Sequence, residues 1–423
     1  MATTQRRTVR WRAGVLGISS FRHFWMAGIV SYVGSWMHRV AAAWLMLELT
    51  GSALWVALMA GSGTFPSLFL APVGGALADL RDRKQVLMWS QGLQAAAALA
   101  TAVAWYLDVL GPGLLLTLGL VMGLGVAISN PTWLAFISDL VPTTMLADAV
   151  ALNAAGFNVS RAIGPALGGI LVATVGAGVP FTVNAVSFTV VILVLAVLGA
   201  DTWRGGAGTS IRRAIAEGVR FVRTTRPLPA LLALSASFAF STAFLQAILP
   251  NLIADELRRD ADVYGLLLGA MGTGALLGAF GRKRTDRAFR GRFLPISVAG
   301  FAAMGAVVGA SRVLPLTTLA MTFAGVFWVF VLSTLLARIQ LLSPSGVRGR
   351  VMSLFSVAFL GFVPLGALTA GALGDAVGLT PTFLLLSGLV GLVAVLAATI
   401  PPPTAMEKGM PDPDRLEPPR GGP

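Results

Sequence analysis

Cysteine is absent from this chain, and histidine occurs only as His23 and His38. The first absence excludes disulfides and thiolate metal sites. The second removes most imidazole ligands, so neither a metal nor any other cofactor is expected. Charge is scarce as well: 12 % of the 423 residues are charged, against 56 % hydrophobic. A soluble protein of this length needs far more charge to cover its surface, so the composition is that of a polytopic membrane protein. No Asp or Glu stands plainly in the middle of any apolar segment, and residues 113–136 carry no charge at all. There is no P-loop for ATP. An intramembrane enzyme needs clustered acids, His, or a nucleophile with a base at membrane depth, and it stays a remote alternative. No catalytic residue is expected.

What is present is a series of long apolar segments, near residues 24–47, 54–78, 85–107, 112–137, 146–174 and 179–199, then 228–253, 262–281, 293–311, 314–341, 350–374 and 379–400. Each is long enough to cross a hydrocarbon layer of about 30 Å. The expected class is therefore all-α, with twelve transmembrane helices in two six-helix bundles, 24–199 and 228–400. A basic tail (1–23), a linker (200–227) and a Pro-rich, charged tail (401–423) complete the chain. The N-terminal MATTQRRTVRWRAG lacks the apolar core of a signal peptide. Lys and Arg sort by side. Twenty-six fall in the tails and in the loops of one side, three (Arg258, Arg259, Arg312) on the other, and Arg39 and Arg161 lie inside spans. This asymmetry predicts cytoplasmic termini in a bacterial inner membrane. It also explains the net charge of +13 without nucleic acid, for which no compact basic domain exists. In the linker, Ile211, Ile215, Val219 and Val222 share one helical face opposite several Arg, which predicts an interfacial helix on the inner membrane surface.

The chain also repeats. Pro142, Leu152, Phe157, Gly164, Gly169 and Leu171 recur 202 positions later as Pro344, Leu354, Phe359, Gly366, Gly371 and Leu373. A repeated half in a membrane chain points to a transporter.

Two motifs sharpen this. Gly75, Asp79, Arg83 and Lys84 place a small residue, an acid and bases in one short turn, which reads as an inner-side charge clasp or as a topogenic basic turn. Gly164, Pro165, Gly168 and Gly169 break a helix ladder and allow close approach of a neighbour. The turn resembles the loop signature of the major facilitator superfamily, with Leu80 and Asp82 departing from it. The second-half turn, Gly278 to Arg284, lacks the acid. The Gly/Pro segment resembles the core of a motif of proton-coupled exporters, with Asn153 and Ser160 at its earlier glycine positions. Five further stretches, Ser20–Trp25, Leu49–Ser52, Asn130–Pro131, Val150–Asn153 and Gly346–Ser353, resemble the branch containing the enterobactin exporter and macrolide-efflux proteins. The resemblance implies alternating access and proton-coupled export of a small molecule by a monomer in the lipid bilayer. A dedicated siderophore or lipid transporter is the alternative.

Polar groups inside spans are the site candidates. Arg161 is a costly charge that either meets an anionic cargo group or a carboxylate, or pairs with backbone carbonyls at a bend. His38 either relays a proton or is a satisfied core residue. Arg39 sits beside it, and Glu48 is the nearest acid. Asp139 is placed to anchor the basic turn. Trp36, Asn130, Asn153, Asn158 and Gln246, with Trp133 and Trp328, are candidates for the cavity wall or for packing.

Overall fold

The structure is a computed structural model that describes residues 14–70, 77, 81–198, 211–288 and 292–400. The calls on Gly75 and Asp79, and on both tails beyond those limits, lie outside the described residues. In chain order the helices are α1 (Ser19–Thr50), α2 (Ala53–Leu70), α3 (Arg83–Tyr106), α4 (Pro112–Leu140), α5 (Thr143–Val175) and α6 (Gly178–Val197). After the linker helix α7 (Ile211–Thr224) come α8 (Leu228–Glu256), α9 (Ala261–Ala288), α10 (Phe293–Ala310), α11 (Leu314–Leu341), α12 (Val347–Val377) and α13 (Leu379–Ala398). Eleven, all but α1 and α7, are long and apolar enough to cross a membrane. At 32 residues α1 is long enough as well, but Arg22, His23, His38, Arg39 and Glu48 dilute its hydropathy. It begins five residues before the expected 24, taking in Arg22 at its solvent end, where a long basic side chain reaches water. The molecule is thus an all-α membrane protein of twelve transmembrane helices in two six-helix bundles. Its outer surface is apolar to an extent that only lipid tolerates: Val197 and Phe280 are 85 % and 86 % exposed.

The sequence repeat has a geometric meaning. Pro142 and Pro344 precede α5 and α12 with nearly equal dihedrals (φ −59°, ψ 148°; φ −55°, ψ 154°). Gly176 and Gly378, also 202 apart, end the same two helices at φ +87° and +90°, a region closed to most side chains. Between them, a methyl group at Gly164 would stand 2.6 Å from Trp36 Cβ on α1, and one at Gly366 would stand 2.9 Å from Phe240 Cα on α8. Both glycines therefore pack against the first helix of their own half. Gly169 and Gly371 face across to the other half. Their added methyls would stand 2.8 Å from Gly265 Cα on α9 and 2.8 Å from Leu54 Cα on α2. The halves consequently meet along two related seams, α5–α9 and α2–α12.

On the side of the Gly51 turn the α2–α12 seam carries polar contacts as well. Gly51 ends α1 in the left-handed region (φ +63°) with its N–H bonded to Leu47 O. Ser52 then caps α2. The carboxylate of Asp375 on α12 accepts from Ser52 Oγ (2.6 Å), Ala53 N (2.7 Å) and Leu54 N (3.2 Å). A negative group at a helix N-terminus satisfies orphan N–H donors and the helix dipole together. The linker helix α7 docks on protein as well as presenting its basic side: Val222 is buried, Glu217 pairs with Arg350 of α12, and Gly218 lies against the Arg350 side chain.

Candidate functional site

Three spanning helices break within their length. α2 is interrupted at Gly63–Thr64, α8 between its Leu228–Thr242 and Phe244–Ala247 pieces, and α12 at Gly361. Irregular backbone inside a bilayer is tolerated where it is buried in protein or borders a water-filled cavity. Such a cavity, about 340 Å³, lies against these breaks, with Gly63, Thr64, Gln246 and Leu360 on its wall. The volume falls in the range of small-molecule sites. Most of the wall comes from the first half, whereas Gln246, Tyr264, Leu268 and Leu360 come from the second.

The cavity wall carries one arginine, Arg39, and a second, Arg161, is not on the wall but approaches Trp36, which is. Arg39 lies eleven residues, about 16 Å at the helical rise, from the Thr50 end of α1. Its neighbours His38 and Val40 are buried, yet Arg39 itself is exposed, because it opens on the cavity beside Gly63. Arg161 stands midway along α5. The Cζ atoms of Arg39 and Arg161 are 5.1 and 5.8 Å from the centroid of one indole, Trp36, so they are separated by at most the sum, about 11 Å. Arg161 Cζ is also 5.9 Å from the Trp328 ring on α11, so this side chain links the halves through two cation–π contacts. Among the described residues neither guanidinium has an ion pair or hydrogen bond, and the cavity wall has no Asp or Glu. At an effective dielectric of about 20, two like charges about 11 Å apart repel by ~1.5 kcal/mol. The arrangement can therefore hold an anionic group, which would relieve that repulsion.

Pro165 adds to this. It has no N–H, so the carbonyl of Arg161, four residues back, loses its usual helical donor. That carbonyl lies against Gly272 of α9, where an added methyl would stand 2.7 Å from it and 2.6 Å from Ala162 Cα.

Of the other candidates, Trp36, His38, Asn130 and Gln246 line the cavity. His38 packs on Phe181 (4.7 Å), and its Nδ1 is buried without a partner among the described residues. Asn153 stands behind the wall, where its Oδ1 accepts from Trp133 Nε1 (3.1 Å). Asn158 donates to Ala154 O in its own helix and is not on the wall. Glu48 is exposed near the end of α1 and accepts from Trp44 Nε1 (2.8 Å), away from the cavity. Its sequence position placed it near the end of the helix but did not set its direction.

The family profile described as transmembrane secretion effector matches residues 14–419. The chain belongs to that family, within the major facilitator superfamily. The transporter is 29 % identical over 394 residues to the multidrug efflux pump Tap of Mycolicibacterium fortuitum, covering 89 % of this chain and 94 % of the relative. It is 24 % identical over 408 residues to macrolide efflux protein A of Streptococcus pyogenes, covering 90 % and 95 %. Among solved structures, it is similar in fold to a bacterial homologue of the iron transporter ferroportin in an inward-facing state (TM-score 0.71, 17 % identity, covering 90 % and 99 %). It is also similar to a peptide transporter of the POT family (TM-score 0.74, 13 %, covering 91 % and 95 %).

Of this transporter's expected gate, Arg83 Nη1 pairs with Asp139 (2.8 Å) and reaches Ala135 O (3.3 Å), tying α3 to α4. Lys84 Nζ donates to Leu198 O (2.6 Å) beyond α6. Asp82, a departure from the loop signature, caps α3 by accepting from Lys84 N (2.9 Å). Gly164 and Gly168 pack on α1, and Gly169 and the Pro165 carbonyl on α9. The wall also holds Gln91 and Gln94 of α3, which sequence reasoning missed. Gln94 donates to Ser90 O (3.1 Å), while Gln91 Oε1 is buried with no donor among the described residues. Two buried Gln three residues apart in an apolar span were the available signal, through the cost of desolvating an amide.

Proposed function

We propose that this transporter exports small amphipathic molecules, drug-like compounds or a secreted metabolite, across a bacterial inner membrane. In this reading a single chain works by alternating access and uses the proton gradient. The observation that carries it is the cavity, bordered by three helix breaks and lined by aromatic, amide and hydroxyl groups with a cation at its edge. The relatives named as multidrug and macrolide efflux proteins support export as the direction.

The basic loops give the orientation. With them in the cytoplasm, the Gly51 turn and the Asp375 contact lie outside, and in this reading the contact belongs to the state that accepts cargo from inside. The two bundles then rock about the glycine seams. Gly75, Asp79, Arg83 and Lys84 form the inner clasp of the opposite, outward-open state. Cargo occupies the space near Trp36, Asn130 and Gln246, with Arg161 and Arg39 at its charged end. His38 and Glu48 are the proton candidates, with Asn153 and Asn158 supporting the α5 side.

The test is flux in everted vesicles containing the full chain. Lipophilic dyes should accumulate inside when the interior is made acidic, and this should cease when an ionophore collapses the pH gradient. Accumulation indifferent to the ionophore would overturn proton coupling, and no accumulation of any of a chemically diverse panel would overturn export.

A further inference from the structure

We infer that Arg39 and Arg161, set about the Trp36 indole, form an anion subsite, and that the preferred cargo is a carboxylate or similar oxyanion on a planar apolar body. This deepens the export reading and rests on it.

Both guanidinium groups lie well inside the helices that carry them, with no acid or hydrogen-bond acceptor on either among the described residues. A charge at membrane depth that is neither paired nor snorkelling is costly, and it is kept where an ion pathway or ligand uses it. The fork of an Arg suits an oxyanion; Arg39 is on the cavity wall, Arg161 reaches within 5.8 Å of the Trp36 ring of that wall, and no acid on the wall opposes their positive field. A cationic amphiphile would meet repulsion there. The flat rings that continue the wall, Tyr32, Trp133, Phe157 and Phe188, suit an aromatic body. Arg161 also touches Trp328 of the other half. An anion that draws its guanidinium away from Trp328 would loosen one contact between the halves, which ties cargo charge to the rocking step.

The test is equilibrium binding of 2-naphthoate, its methyl ester and 2-naphthylmethylamine to the full chain in phosphatidylcholine nanodiscs. The carboxylate should bind at least tenfold tighter than the ester or the amine. Arg39→Gln and Arg161→Gln should each abolish most of that gap, and Arg39→Lys should keep part of it. If Arg39→Gln loses the ester too, Arg161→Gln and Arg39→Lys decide. Equal binding of the three probes, tightest binding of the amine, or an unchanged gap in both Gln variants would overturn the inference. Loss of the gap in phosphatidylglycerol nanodiscs would overturn it in favour of a lipid headgroup. Carboxylate preference without flux of any cargo would sink the export reading alone. Flux of neutral amphiphiles with no carboxylate preference would sink this inference alone.

Discussion

Asp375 makes three contacts to the start of α2 with one carboxylate, and those contacts join the halves. It is exposed, so screening reduces their worth to about 1 kcal/mol. Asp375→Asn should therefore shift the balance between the two states about fivefold toward the one open on the Gly51 side. Pulsed EPR distances between spin labels on the outer ends of α2 and α12 would read this, and an unchanged distribution would count against the latch. Nothing in the sequence singles this acid out, because its partners lie 321 to 323 positions away and it stands near a helix end like any loop carboxylate. Arg161 stood out in the sequence for the opposite reason, since a lone Arg in a long apolar run is costly unless something pairs with it. Its aromatic partners were not legible, since Trp328 belongs to the other half. Glu48 and Asn158 mark the limit of reading depth from position: both lie on the right helices and face elsewhere.

At the scale of elements, the spanning helices were legible almost to their ends, because runs of about twenty apolar residues have few other uses. Proline and glycine set the ends that repeat, at Pro142 and Pro344 and at Gly176 and Gly378. The glycine pairs were legible as a repeat, and the structure supplies their partners, α1 and α8 within halves and α9 and α2 across them. The helix breaks at Gly63 and near Gln246 were not legible, because a short interruption does not change the hydropathy of a span. The linker helix was placed on the membrane by its amphipathic pattern, whereas Val222 and the Glu217–Arg350 pair seat it on α12, since an apolar face accepts either cover. The α5–α9 seam offers an element-scale test. Gly272→Val puts a branched side chain where even a methyl would stand 2.6 Å from Ala162 Cα. Overpacking of this kind costs typically 1–3 kcal/mol. The variant should show a lower thermal unfolding midpoint than the parent, with transport reduced in parallel. A variant as stable and active as the parent would mean that this close approach is not maintained.

For the whole molecule, two bundles joined by glycine seams border a cavity whose wall is drawn mainly from the first half and completed by a few residues of the second. Under the proposed alternating access, tilting of the bundles turns the same wall residues to opposite sides in turn. The absence of cysteine makes this directly measurable, because one introduced thiol is the only one in the chain. Thr64 lies on the cavity wall at the break in α2. In sealed vesicles of known orientation, Thr64→Cys should react with a membrane-impermeant thiol reagent from the cytoplasmic side at rest, and should gain reactivity from the outer side when a pH gradient and cargo drive turnover. Reactivity confined to one side under both conditions would contradict alternating access to this cavity.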